Sequence, residues 1–179
     1  MPEQIMQQYA RIQNAYEKVV KRLIEEKTSI ATMESCTGGQ IASFITNVDG
    51  SSSVFENGYV TYSNSSKVAR GVSAEIIDTY GVYSPQTAVA MATTCRENAK
   101  ANIGIGVTGS LNIVDPANDD SECGVVYYCV VYNKNGIADM RTGDIRFRTV
   151  KSRIEMKLDI AEKIILLVQD LLFYDDSKF

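Results

Sequence analysis

The chain contains no histidine. A Ser-His-Asp triad, a Cys-His pair, an HExxH zinc site and a histidine acid–base catalyst are therefore excluded within one chain. Any nucleophilic chemistry must hand its proton to a lysine, a tyrosine, a carboxylate or a terminal amine. No uninterrupted apolar run is long enough to span a bilayer. The opening residues, MPEQIMQQYARIQ, lack the basic-then-apolar plan of a secretory signal. Cys36, Cys95, Cys123 and Cys129 are irregularly spaced and include no CxxC pair, which argues against a zinc knuckle or a dense disulfide framework. Positive charge is not in excess either. Eighteen basic against 22 acidic residues leave a net charge of −4, without the footprint of a nucleic-acid binder. Together these absences predict a cytoplasmic protein in a reducing setting, with neither membrane nor nucleic acid as partner.

What is present is an ordinary globular balance: 179 residues, 45% apolar and 22% charged, enough for one domain over 1–179 with a real core. No repeat, low-complexity block or linker interrupts it. Ile5, Tyr9, Ile12, Tyr16, Val19, Val20, Leu23 and Ile24 make one apolar stripe and predict a helix over 3–27. Short β-prone runs occur at 30–33, 58–62, 103–107 and 124–132, and 137–147 reads as an antiparallel return after an Asn-Gly turn. Helices are expected from 41 to 48, after the cap Ser63-Asn64, over 73–80, from Ser84-Pro85 to about 100, and over 150–172. A polar tail, 173–179, is expected to fray. Helices alternating with strands early, and a hairpin late, argue a three-layer α/β/α sandwich with a mixed sheet.

The chain is organised around TSIATMESCTGGQIASFITNV, residues 28–48, which reads as buried strand, glycine turn and helix. Ser35 and Cys36 fall in that turn. Such groups are more often caps and turn formers than nucleophiles. Two other segments, 62–67 and 108–110, also begin at predicted strand ends, where ligands gather in open α/β sheets. Without histidine, Ser35 with Lys67 becomes the leading nucleophile–base pair, and Tyr62 is placed to relay a proton or orient the amine. A lysine serves only if desolvation or a neighbouring cation lowers its pKa towards neutrality. The plainer alternatives remain: a solvated surface lysine, a half-buried tyrosine, a buried inert Cys36. Asp115, Asp119 and Asp120 lie in a long polar loop, 111–122, without EF-hand spacing.

Three motifs stand in order here: MESCTGG at 33–39, DGSSSVF at 49–55 and GYVTYSNSSK at 58–67. They resemble the A-E-S-C-T-G-G, D-x-x-G-S-S-x-x-F and G-x-V-T-Y-S-N-x-x-K motifs of the CinA C-terminal domain family, the nicotinamide-nucleotide amidases. GVSAEIIDTYGVYSPQTAVAMA continues the likeness, which covers essentially the whole chain. The resemblance implies a three-layer sandwich with a mixed, mainly parallel five-stranded sheet, usually in a homo-oligomer, with no metal or cofactor. It implies deamidation of nicotinamide mononucleotide to nicotinic acid mononucleotide and ammonia. Ser35 would be the nucleophile, Lys67 the general base and Tyr62 a supporting acid–base or hydrogen-bonding residue. Glu34, Cys36, Thr37, Gly38 and Gly39 would border the substrate, as would Thr108, Gly109 and Ser110. The chain departs from the family where a glycine-rich loop is replaced by Gly109-Ser110-Leu111-Asn112-Ile113-Val114-Asp115-Pro116, and where Ser121-Glu122-Cys123 precedes Gly124. Arg146, Arg148 and Arg153 compete for one phosphate or carboxylate role, with Arg148 and Arg153 preferred. Many relatives carry a further pyrophosphatase-like domain, so a stand-alone form is expected here. The alternative is a nucleotide-binding module of the same fold that has lost turnover.

Overall fold

Side chains along the sheet alternate between two helical layers, as a period of two requires when both faces are covered. The computed structural model describes residues 3–134 and 136–173, so the expected tail beyond 173 and the turn residue Asn135 lie outside the described residues. Five strands, β1 (Ile30–Glu34), β2 (Phe55–Val60), β3 (Ile103–Ser110), β4 (Val125–Lys134) and β5 (Ile137–Arg146), line up in the order β2-β1-β3-β4-β5. The first two pairings in that row are parallel and the last two antiparallel, so β4 alone runs against the others. The mixed, mainly parallel sheet expected of the chain is the one it has. Against one face lie α1 (Glu3–Glu26), α2 (Gln40–Thr46) and α6 (Arg153–Phe173); against the other lie α4 (Ala74–Tyr80) and α5 (Pro85–Ala99). The sixth helix, α3 (Asn64–Ala69), stands beyond the end of β2.

The first face is packed by Ile30, Ile105, Val107, Tyr128 and Val130 against the apolar stripes of α1 and α6. The stripe of α1 is the one predicted: Ile12, Tyr16, Val19, Val20 and Leu23 are buried. Tyr16 stacks on Phe44 of α2 at 5.0 Å and donates its hydroxyl to Ala161 O at 3.0 Å, satisfying a polar atom that burial would otherwise strand. The opposite face is flatter. Gly104 and Gly106 of β3 let α5 sit directly on the strand: a Cβ there would meet Ala92 O at 2.1 Å and Ala88 O at 2.2 Å. Ala31, Met33, Met91, Cys95, Ala88, Ala92, Cys129 and Val131 fill the space around that contact.

Local signals place the helices well. Ser84 caps α5, its hydroxyl accepting from Thr87 N at 3.1 Å, with Pro85 in the first turn. Ser84→Ala is expected to cost ~1 kcal/mol, a fall in Tm of roughly 2–4 °C by calorimetry, because the capped N–H loses its acceptor. The second strand is shifted from its expected place. It runs Phe55–Val60 rather than over 58–62, because a register irregularity against β1 between Ile30 and Thr32 starts the pairing early. Thr61 and Tyr62 therefore fall just past the end of the strand, a shift with consequences for the site. The last helix likewise begins at Arg153 rather than near 150.

Candidate active site

Parallel strands β1, β2 and β3 end together, and the segments leaving their carboxyl ends meet in one cleft of about 510 Å³. Its walls include Ser35, Cys36, Tyr62, Asn64, Tyr83 and Ser110, together with the charged Asp115 and Arg153. Ser35 is the first residue past β1, and its N–H donates to Val107 O at 3.0 Å, which prolongs the pairing with β3. On the other side Thr61 N donates to Glu34 O at 2.8 Å, prolonging the pairing with β2. The serine and Thr61 are thus held side by side by sheet geometry rather than by loop packing.

Lys67 comes from α3, whose start is fixed by a capping box in which the hydroxyls of Ser63 and Ser66 each accept from the other's backbone N–H. The helix turns the lysine inward. Only 1% of it is exposed, and its Nζ lies 3.2 Å from Ser35 Oγ and donates to Thr61 O at 2.9 Å. Burial disfavours the ammonium and lowers the amine to about 8, while Cys36 and the Asp115 carboxylate pull the other way. A neutral amine has two N–H groups and one lone pair. Thr61 O takes one N–H, which leaves the lone pair free to accept the Ser35 proton.

Glu34 is turned away from the cleft. Its carboxylate is fully buried and accepts from Gly39 N at 3.0 Å, Ile41 N at 3.2 Å and Ala42 N at 2.8 Å. Burial pushes the carboxyl up, and those three N–H groups work against that rise. This is a side-chain cap on the first turn of α2, so the helix end expected to receive substrate anions is already occupied from within. Gly39 and Gly38 both take positive φ, 90° and 63°, which only glycine adopts readily and which folds the elbow tightly enough for the cap to form. Glu34→Gln keeps one acceptor and turns an amide N–H towards N–H donors. It is expected to cost roughly 2 kcal/mol, read as a lower denaturation midpoint with an unchanged m-value.

The other expected site residues divide. Cys36, Gly109 and Ser110 line the cleft beside Ser35. Burial pushes the Cys36 thiol up to about 12, so it is a small buried group rather than a thiolate. Thr37 is buried beneath the elbow, and Thr108 is buried with its hydroxyl donating to Val82 O at 2.8 Å. Gly38 is exposed at the turn, with Lys157 Nζ of α6 3.2 Å from where a Cβ would stand, and Gly39 is half-buried; neither lines the cleft. Tyr62 is 64% exposed, and its hydroxyl accepts from Arg153 at 3.2 Å, not from the lysine. Thr61 holds the amine in its place. Of the three competing arginines, Arg153 reaches the cleft, Arg146 is held by Glu122 and Asp144, and Arg148 is exposed elsewhere.

Tyr83 and Asn118 had no sequence signal of their own. Tyr83 donates its hydroxyl to Asp115 at 2.6 Å, and Asn64 of the third motif donates to Asn118 at 2.7 Å, so loop 111–122 is tied to the cleft wall. Its length was the available hint, since long ordered loops tend to be functional. Among the described residues no cluster of acidic or cysteine side chains is arranged to hold a metal, and no helix is long and apolar enough to cross a membrane.

Comparison with known proteins accords with this architecture. Residues 12–171 match the CinA C-terminal domain. A competence-damage inducible protein of Clostridioides difficile (strain 630), so named provisionally, is 38% identical over 86% of this chain and 36% of its own length. A CinA-like protein of Flavobacterium psychrophilum is 36% identical over 82% of the chain and 35% of its own length. The chain thus spans about a third of the length of these curated relatives. Among solved structures, the competence/damage inducible protein CihA of Agrobacterium tumefaciens superimposes with a TM-score of 0.79 at 28% identity, covering 89% of this chain and 94% of the other. A CinA superfamily protein of Klebsiella pneumoniae gives 0.77 at 20% identity, over 91% and 98% of the two chains, which is a likeness of fold.

Proposed function

We propose, since the chain belongs to the CinA C-terminal domain family, that its cleft hydrolyses the carboxamide of a nicotinamide nucleotide with Ser35 as nucleophile and Lys67 as base. The observation that carries this reading is the 3.2 Å approach of a buried, desolvated amine to a serine hydroxyl in a protein without histidine. The neutral amine takes the Ser35 proton as Oγ attacks the amide carbon. The oxyanion so formed is met by a backbone N–H of the elbow. Those of Gly38 and Gly39 are engaged by Ser35 O and Glu34, so the task falls to the N–H of Cys36, which lines the cleft beside Ser35. The Lys67 ammonium then protonates the departing nitrogen, ammonia leaves, and the acyl group remains as an ester on Ser35. Water, deprotonated by Lys67, attacks that ester and frees the carboxylate. Arg153, with Tyr62 fixed to it, supplies the cation for the nucleotide phosphate.

The test is ammonia release from nicotinamide mononucleotide by the purified protein and by Ser35→Ala. Loss in the variant is expected, and retained turnover would refute the assignment of roles. One feature favours the second reading, a binding module: Ile113 and Asp115 line the cleft from the stretch 109–116, which stands in place of the glycine-rich loop that the resemblance implies. Tight binding of the mononucleotide with no ammonia over hours would establish it.

A further inference from the structure

The cleft is lined by two charges of opposite sign. Arg153 is presented by the first turn of α6, and Asp115 by the loop crossing from β3 to β4. Asp115 is not a loose loop carboxylate. Oδ2 accepts from Tyr83 at 2.6 Å and from Asn118 at 2.6 Å, Oδ1 accepts from Ala117 N at 3.0 Å, and its own N–H donates to Ser121 at 2.8 Å. Tyr83 is anchored in turn, its N–H donating to Asp120 at 2.6 Å. These donors keep the carboxylate ionised and stationary, and two tyrosine rings, Tyr62 and Tyr83, line the same space. A stationary anion among aromatic rings favours a cation, while a guanidinium in the same lining favours an anion.

We infer that Asp115, braced by Tyr83 and Asn118, is a specificity-determining residue that selects substrates whose aromatic ring carries a positive charge, so that the cleft reads a zwitterion: cationic heteroaromatic carboxamide at one end, phosphate at the other. This rests on the amidase reading of the same site. An N-glycosylated pyridinium carboxamide has that charge pattern; its reduced, dihydropyridine form has the same carboxamide and phosphate on a neutral ring. Asp115 acts before chemistry, by differential binding of the two.

Nicotinamide mononucleotide and its reduced form are therefore compared as substrates of the wild type, Asp115→Asn, Asp115→Glu and Asp119→Asn, and as ligands of each in a Ser35→Ala background by calorimetry. Comparing the oxidised-to-reduced ratio between variants cancels the intrinsic reactivity of the two amides. Asp115→Asn is expected to shrink that ratio roughly tenfold, through weaker binding of the oxidised ligand alone. Asp115→Glu should keep most of the preference, and Asp119→Asn, an equal change of charge on the same loop outside the cleft, should leave it intact. A ratio unchanged within about twofold in folded Asp115→Asn, or an equal fall in Asp119→Asn, overturns the inference while leaving amidase activity standing. Should Asp115→Asn not fold, Asp115→Ser carries the same comparison. If the wild type releases no ammonia from either compound, the amidase reading fails, and the calorimetric ratio alone decides whether Asp115 reads ring charge.

Discussion

Lys67→Ala is expected to lower kcat for carboxamide hydrolysis on the order of a thousandfold, with the same loss in Lys67→Arg. Arginine keeps the positive charge but cannot surrender a proton, so equal losses would separate base catalysis from mere attraction of an anion. Ser35→Ala, and Ser35→Ala with Lys67→Ala together, should be no worse by more than a small factor, because nucleophile and base act as a unit. The pH profile carries the sharper signature. With the amine lowered to about 8, the neutral base is a minority of about a tenth at pH 7. The rate should therefore rise nearly tenfold per pH unit up to about 8 and level off above it. An unchanged profile in Lys67→Ala would assign the limb to another group.

The same shift makes a stability statement of known sign. Between about 8 and the ordinary lysine value of 10.5, the unfolded chain holds a proton that the folded one has released. Stability of the wild type relative to Lys67→Met should therefore increase as pH rises through that window, by about 3 kcal/mol in all. Below pH 8 the native state carries the full cost of a buried ammonium 1% exposed to solvent. Denaturant titrations of the two proteins at pH 7 and pH 10 measure the difference; a flat comparison would mean that the amine is not desolvated.

The largest structural effect is expected at Gly106. An alanine Cβ would lie 2.2 Å from Ala88 O and 2.5 Å from Ala92 N, both backbone atoms of α5 that no rotamer change can move aside. The helix would have to lift from β3, opening the packing of Met91, Ala92 and Cys95 beneath it. Gly106→Ala should cost roughly 3 kcal/mol or more, and Gly104→Ala with Gly106→Ala should leave no cooperative unfolding transition. Gly136→Asn is the milder comparison: nothing lies within 4 Å of that position, and its φ of 84°, strained for most side chains, is one asparagine adopts at a cost of about 1 kcal/mol. Its midpoint should fall far less than that of Gly106→Ala. A Gly106→Ala protein that melts with the wild type would show that α5 does not rest on this strand.

Much of this arrangement was open to inspection before any coordinates. The helical stripe of α1, the caps at Ser63 and Ser84, and the alternating and glycine-interleaved strands are consequences of neighbouring residues, which is why periodicity and capping rules located them. Composition alone excluded a histidine base and left lysine, tyrosine, carboxylate or terminal amine, since a missing histidine is a property no fold can repair. Strand edges were less legible. The early start of β2 comes from its register against β1, a relation between segments more than 20 residues apart in the chain.

What the sequence determined by itself, then, was the set of elements, the layers they would build, and the short roster of groups able to move a proton. The tertiary structure decided which of those groups meet. It set Thr61 at the end of β2, its N–H still paired with Glu34 O, so that its carbonyl, rather than the Tyr62 hydroxyl, anchors the Lys67 amine, and it turned Glu34 inward onto α2 instead of outward onto a substrate. It also chose Arg153 among three arginines and drew Asp115 into the cleft from a loop with no motif. The physical reason is common to all four. Burial and partnership depend on atoms brought together across the sheet, and a charge or hydroxyl acquires its role only when the fold removes water from one side of it and supplies a partner on the other.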